Sequence, residues 1–331
     1  MEVVGERKDK IICKNLLLLE YLTDSIKKMK VFNMSTERYV YLNGEIIKES
    51  KALISPFDRG FLWGDGVYEV TPCFNGKLFR LDDHLKRLYR SLKYTQIHCH
   101  LDIEEMKIAT LETLKLNQDI LGEGKIYRVG HWVSRGMDDP SMIASESDRP
   151  TIFIFWRESS TDKLVEKYSK GVRLSIVATR RVPPQCLEAR AKVTSKMNQI
   201  LAELDASSNG SLSLMLDIYG NVAENSVANF FMVKDNVLFT PHEKNVLQGV
   251  TRLTVFEMAK RMGINYEERD ITLYDLSQAD EFFLTSSAIC AMPVNQIDRF
   301  SPNKPVPGPI TEKIINEFVS QTEFDFRDLS V

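Results

Sequence analysis

Residues 221–252, NVAENSVANFFMVKDNVLFTPHEKNVLQGVTR, constrain this chain more than any other stretch. A carboxylate, Glu224, heads the polar run Glu224-Asn225-Ser226. The apolar run Val227-Ala228-Asn229-Phe230-Phe231-Met232-Val233 follows, and its β-branched and aromatic residues favour a strand. Asp235-Asn236 supplies a turn before a short second strand, Val237-Leu238-Phe239-Thr240. In Leu247-Gln248-Gly249-Val250-Thr251-Arg252 a glycine turn then precedes the helical pattern Leu253-Thr254-Val255-Phe256-Glu257-Met258. The first amides of a helix lack intrahelical acceptors and point outward, so this turn predicts an anion socket. One segment thus offers a placed carboxylate and, about 25 residues on, a phosphate-sized site.

The runs E-N-S-V-A-N-F-F, L-F-T and L-Q-G-V-T-R, at this spacing, resemble the signature of class IV (fold type IV) pyridoxal-phosphate aminotransferases. The resemblance implies a mixed α/β (α+β) architecture of two domains. One is a small α/β domain; the other is larger, β-barrel-like, and flanked by helices. The plain alternative is a hairpin and helix in an ordinary α/β protein.

The length of 331 residues accommodates two domains, each with its own core. Charged residues make up 27% and hydrophobic residues 43%, the balance of a soluble globular chain. A net charge of -3 gives no footprint for nucleic acid or an anionic membrane. Five scattered cysteines without a C-x-x-C pair point to free thiols in a reducing compartment such as the cytoplasm. No apolar run reaches the roughly 18 residues of a membrane span.

Residues 1–33 read as an appended helical extension, and the text that resembles the family begins at Met34-Ser35-Thr36. Asn43-Gly44 and Asn75-Gly76 predict tight hairpin turns. Val67-Tyr68-Glu69-Val70-Thr71 alternates like a strand. Residues 81–92 predict a helix with a Leu85, Leu88, Leu92 stripe, with His84 and Arg87 three apart on one side. A small domain is expected over 34–156, a polar linker over 157–163 and a large cofactor-binding domain over 164–331.

A pyridoxal enzyme needs a lysine amine, an acid partner for the pyridine nitrogen, a phosphate cup and a substrate pocket. Two lysines are candidates, Lys192 and Lys196. The family places its lysine about 14 residues before a helix-closing alanine, and counting back from Ala206 gives Lys192, which follows Ala191 as in branched-chain members. By resemblance Glu224 pairs with the pyridine nitrogen through a charge-assisted hydrogen bond. Arg87, the amides of Val250 and Thr251, and the Ser287 hydroxyl would form the cup. Branched-chain members touch the ring hydroxyl with a tyrosine five residues after the lysine. That position is Met197 here, and Asn198 is the nearest polar substitute.

The resemblance implies ping-pong transfer in two half-reactions, from an amino donor to a 2-oxo acid, in a homodimer. Substrate contacts fall to Tyr68, Val70, Arg128, Ser287 and Ala288. Tyr68-Glu69-Val70 matches the D-amino acid branch, but that branch has a lysine where Pro72 stands and an Arg-x-His carboxylate trap where this chain reads Met137-Asp138-Asp139-Pro140-Ser141; Val70 with Pro72 is tolerated in the (R)-amine branch. The branched-chain pattern has a glycine where Val70 stands and, aligned on Arg135-Gly136, an arginine where Gly130 stands; a slip in register would give that arginine's place to Arg128. Arg128 is the candidate carboxylate anchor, since a buried guanidinium grips a carboxylate bidentately; a structural ion pair is its other reading. The sequence therefore predicts a D-amino acid or (R)-amine transaminase. An L-branched-chain transaminase, an aminodeoxychorismate lyase-type enzyme and a non-catalytic binding protein of the same fold are the alternatives.

Overall fold

A computed structural model describes residues 37–331 apart from 122–123, 141–142, 148, 160, 162 and 329–331. The helix expected over residues 1–33 lies outside the described residues. Residues 39–331 form one compact unit.

The first half builds a six-stranded antiparallel sheet, in the order β2-β1-β6-β5-β3-β4. Its strands are β1 (Tyr39–Leu42), β2 (Glu45–Lys48), β3 (Gly66–Phe74), β4 (Lys77–Leu78), β5 (Ile126–Ser134) and β6 (Thr151–Glu158). Both Asn-Gly pairs form two-residue hairpin turns with φ positive at each residue, the geometry that asparagine and glycine tolerate best. Helices α2 (Leu81–Thr95) and α3 (Ile103–Leu116) cover one face. Leu85, Leu88 and Leu92 bury the predicted stripe against Val67, Val129, Ile154 and Trp156.

The second half builds a seven-stranded mixed sheet, in the order β11-β10-β9-β12-β13-β7-β8. These strands are β7 (Val172–Ile176), β8 (Leu212–Leu214), β9 (Asn229–Lys234), β10 (Val237–Thr240), β11 (Tyr266–Glu268), β12 (Glu281–Ser286) and β13 (Cys290–Ile297). The long helices α6 (Val250–Arg261) and α8 (Pro309–Thr322) pack on it. Its core is centred on Phe230, Phe231, Phe282 and Phe283, all essentially inaccessible. Each such ring contributes about 1.5–3 kcal/mol by leaving water. The remaining helices are α1 (Arg59–Trp63), α4 (Leu164–Lys170), α5 (Met197–Ser207) and α7 (Leu273–Leu276). The expected mixed α/β class is therefore met, with one core under each sheet. Strand β6 runs through Glu158, two residues past the expected edge of the first domain. No helix among the described residues is long and apolar enough to cross a membrane.

Candidate active site

The segment before α5 is the hinge of the site. It zips onto the start of β3: Tyr68 N donates to Lys192 O (2.9 Å) and Thr194 N donates to Gly66 O (2.9 Å). The Lys192 amide donates to Ser91 Oγ on α2 at 3.0 Å. Both flanks of Lys192 are thus pinned, and its side chain enters a cleft of about 330 Å³.

Tyr68, Val70, Arg87, Arg128, Lys192, Glu224, Val250, Thr251, Ser287 and Ala288 all line this one cleft. Lys196 lines it as well. The two amines differ in setting. Lys192 Nζ lies 4.5 Å from the Tyr68 ring centroid, against 5.8 Å for Lys196 Nζ. Burial, with the nearby Arg87 charge, pushes the Lys192 amine down to about 8, against the pull of Glu69 and Glu224. Lys196 Nζ instead donates to the Ser226 carbonyl at 3.4 Å.

Glu224 is buried, and its carboxylate is already oriented. Oε1 accepts from Arg181 Nε at 2.8 Å; Oε2 accepts from Leu247 N at 3.0 Å and Asn229 Nδ2 at 3.2 Å. A carboxylate has about four lone-pair sites, so one acceptor position is left for a further donor. Arg181 and Asn229 escaped the sequence reading. A polar residue inside the apolar run 227–233 was the available signal for Asn229; nothing local marks Arg181.

Arg87 sits behind the other wall. Its Nε and Nη2 grip Glu69 at 2.6 and 2.9 Å, and Nη1 donates to the Gln248 carbonyl at 2.7 Å. His84, expected on the same helix face, lies with Nδ1 2.8 Å from Glu69 Oε2. Burial alone would raise the Glu69 carboxyl, but Arg87 and His84 outweigh it and hold it far below the usual carboxylate range. Glu69 therefore only accepts, and the His84 proton is on Nδ1. Three of the five guanidinium donors of Arg87 are engaged, which leaves two for a group bound in the cleft that Arg87 lines.

Gly249 caps α6 with no side chain to satisfy the first amides. Its φ of -63° is open to any residue, so the glycine answers a need for space rather than for a left-handed turn. A Cβ there would lie 2.1 Å from Asn229 Oδ1. Asn198 also lines the cleft, but its amide is spent on the backbone, donating to Arg180 O and accepting from Val182 N. Met197 is 64% exposed.

Arg128 faces Pro72 across the β3–β5 ladder, and its buried Nε finds no partner among the described residues. Two residues along β5, a Cβ on Gly130 would meet Phe155 at 2.5 Å and Trp132 at 2.6 Å. Aromatic rings therefore fill the place the branched-chain pattern gives to an arginine.

The residues present fit pyridoxal 5′-phosphate. An uncapped helix start beside an arginine suits the phosphate. The buried carboxylate with a spare acceptor suits a protonated ring nitrogen, and a half-buried amine of lowered proton affinity suits the aldehyde.

Comparison with known proteins gives the same class. The family model of amino-transferase class IV matches residues 66–297, and the chain belongs to this family. It is a pyridoxal-phosphate-dependent aminotransferase. A Methanocaldococcus jannaschii protein, provisionally named a branched-chain-amino-acid aminotransferase, is 38% identical over 282 residues, covering 84% of this chain and 94% of its own. A D-alanine aminotransferase of Listeria monocytogenes is 31% identical over 283 residues, covering 85% and 95%. The crystal structure of the branched-chain aminotransferase from the thermophilic archaeon Thermoproteus uzoniensis, with norvaline, superposes with a TM-score of 0.78 at 29% identity, covering 87% of this chain and 95% of its own.

Proposed function

We propose that this enzyme moves an amino group from a D-amino acid to a 2-oxo acid. The observation that carries the choice of an acid over a plain amine is Arg128. A guanidinium whose buried Nε lacks a partner among the described residues, on the wall of the cleft, is suited to a substrate carboxylate. The Tyr68-Glu69-Val70 run supports the D hand. The L-branched-chain reading is the alternative, favoured by the relative at 38% identity.

Bound pyridoxal 5′-phosphate supplies an aldehyde for amine exchange and a ring that takes up electron density. We assign the anchoring amine to Lys192. Its role would be that of the base, and then the acid, that moves the proton of the substrate Cα. Glu224, steadied by Arg181 and Asn229, keeps the proton on the ring nitrogen. Arg87, the amides of Val250 and Thr251, and the Ser287 hydroxyl hold the phosphate. Arg128 orients the substrate carboxylate, with Tyr68, Val70 and Ala288 against its side chain. We further assign the two sheets to two domains joined over 159–163, the assembly to a homodimer, and the compartment to the cytoplasm.

The test is a donor panel of both hands: L-leucine, L-glutamate, D-alanine, D-glutamate and (R)-1-phenylethylamine, each with 2-oxoglutarate or pyruvate. Fastest turnover with a D-amino acid supports the reading. Fastest turnover with L-leucine installs the alternative; no amino transfer from any donor, with repeated pyruvate release from aminodeoxychorismate alone, points to the lyase.

A further inference from the structure

Thr285 is a hydroxyl the chain itself does not use. It is 1% exposed, it lines the cleft, and its Oγ1 finds no partner among the described residues. An unpartnered buried hydroxyl costs stability, so it persists where something else supplies the partner.

The sheet says what that something is. Thr285 on β12 pairs in register with Asn229 on β9. Phe283 and Phe231, one rung earlier on the same face, stack at 4.9 Å. Phe231 meets Phe256 of α6 at 5.9 Å, so α6 covers this face. Gly249, which starts α6, abuts Asn229 closely enough that a Cβ would lie 2.1 Å from its Oδ1. The Asn229–Thr285 rung therefore lies beside the start of α6, whose uncapped Val250 and Thr251 line the same cleft. Two residues on, Ser287 opens the turn after β12 and lines the same cleft.

We propose that the Thr285 hydroxyl is a phosphate-binding group, the floor of a cup whose walls are the α6 amides, Arg87 and Ser287. This rests on the assignment of the cleft to pyridoxal 5′-phosphate. The hydroxyl donates to a phosphate oxygen, and the bond replaces the partner Thr285 lacks. No covalent step is involved.

The experiment uses the full-length protein stripped of cofactor, as wild type, Thr285→Val and Thr285→Ser. Inorganic phosphate, pyridoxal 5′-phosphate and unphosphorylated pyridoxal are titrated calorimetrically, and melting is followed without ligand. A hydrogen bond to a charged group sets the scale, so Thr285→Val should weaken phosphate and pyridoxal 5′-phosphate binding by about 10-fold or more. Binding of pyridoxal should be unchanged. The same variant should melt about 1–3 °C higher without ligand, because it deletes a buried unsatisfied group. Thr285→Ser should bind phosphate like wild type. A merely structural threonine cannot give these opposite signs. Wild-type phosphate affinity in Thr285→Val, or an equal loss for pyridoxal, overturns the proposal. Failure of wild type to bind either phosphate compound overturns the cofactor assignment as well.

Discussion

Glu69→Gln is the most severe test of how the site is built. Glu69 is fully buried and accepts from Arg87 twice, from His84 and from the Val70 amide. Glutamine keeps the shape but turns one acceptor oxygen into a donor amide, facing donors on every side. The Arg87 guanidinium, 3% exposed, is left without its counter-charge. Removing one partner of a buried pair costs about 3–5 kcal/mol. Unfolding entropy of about 2.1 cal/mol/K per residue over 39–331 gives roughly 0.6 kcal/mol/K, so Tm should fall by about 5–8 °C. The assay is calorimetric melting of the cofactor-free protein at pH 7. Glu166→Gln is the control, since Glu166 pairs with Lys170 at the surface, where the side chains are 53% and 71% exposed; it should shift Tm by less than about 1 °C. The sign with pH follows from the depressed carboxyl of Glu69. Its contribution is whole above the ordinary value of about 4.3 and fades as pH falls further, so the gap between wild type and Glu69→Gln should narrow only below about pH 4. Equal melting of wild type and Glu69→Gln at pH 7 would refute the reasoning.

Other outcomes follow from the same geometry. With the Lys192 amine at about 8, its acylation in the cofactor-free protein should be half-maximal near pH 8; a midpoint above about 10 would contradict its burial beside Arg87. Because the unfolded chain keeps that proton longer, Lys192 should add stability as pH rises from about 8 to about 10.5, read as a rise in Tm relative to Lys192→Met. Gly249→Ala drives a Cβ onto Asn229, so the purified protein should lose bound cofactor, measured as colour per protein. Arg128→Met should raise KM for amino and 2-oxo acids by about 10-fold or more while leaving KM for (R)-1-phenylethylamine unchanged.

What could be read before folding was whatever is local. The two Asn-Gly turns, the leucine stripe of α2 and the helix start at Gly249 each announce themselves within a few residues. The gathering of Lys192, Glu224 and Arg87 into one cleft was reachable only through the family resemblance. The partners that tune these groups were not legible. Glu69 meets Arg87 across a strand and a helix, 18 residues apart in sequence. Arg181 reaches Glu224 from 43 residues upstream. In a single sequence such charges look like surface residues, because burial and pairing are decided by the sheets. The role of Gly249 shows the same limit: glycine in a turn suggests a left-handed backbone, whereas the close approach of Asn229 is what excludes a side chain.

We assign the cofactor to Lys192 and not to its neighbour four residues on. Borohydride reduction of the purified coloured enzyme fixes any lysine-bound cofactor in place, and peptide mass mapping then reads its address. A phosphopyridoxyl mass is expected on the peptide at Lys192 and none at Lys196. Label on Lys196 alone, or undiminished amino transfer by Lys192→Ala, would contradict it.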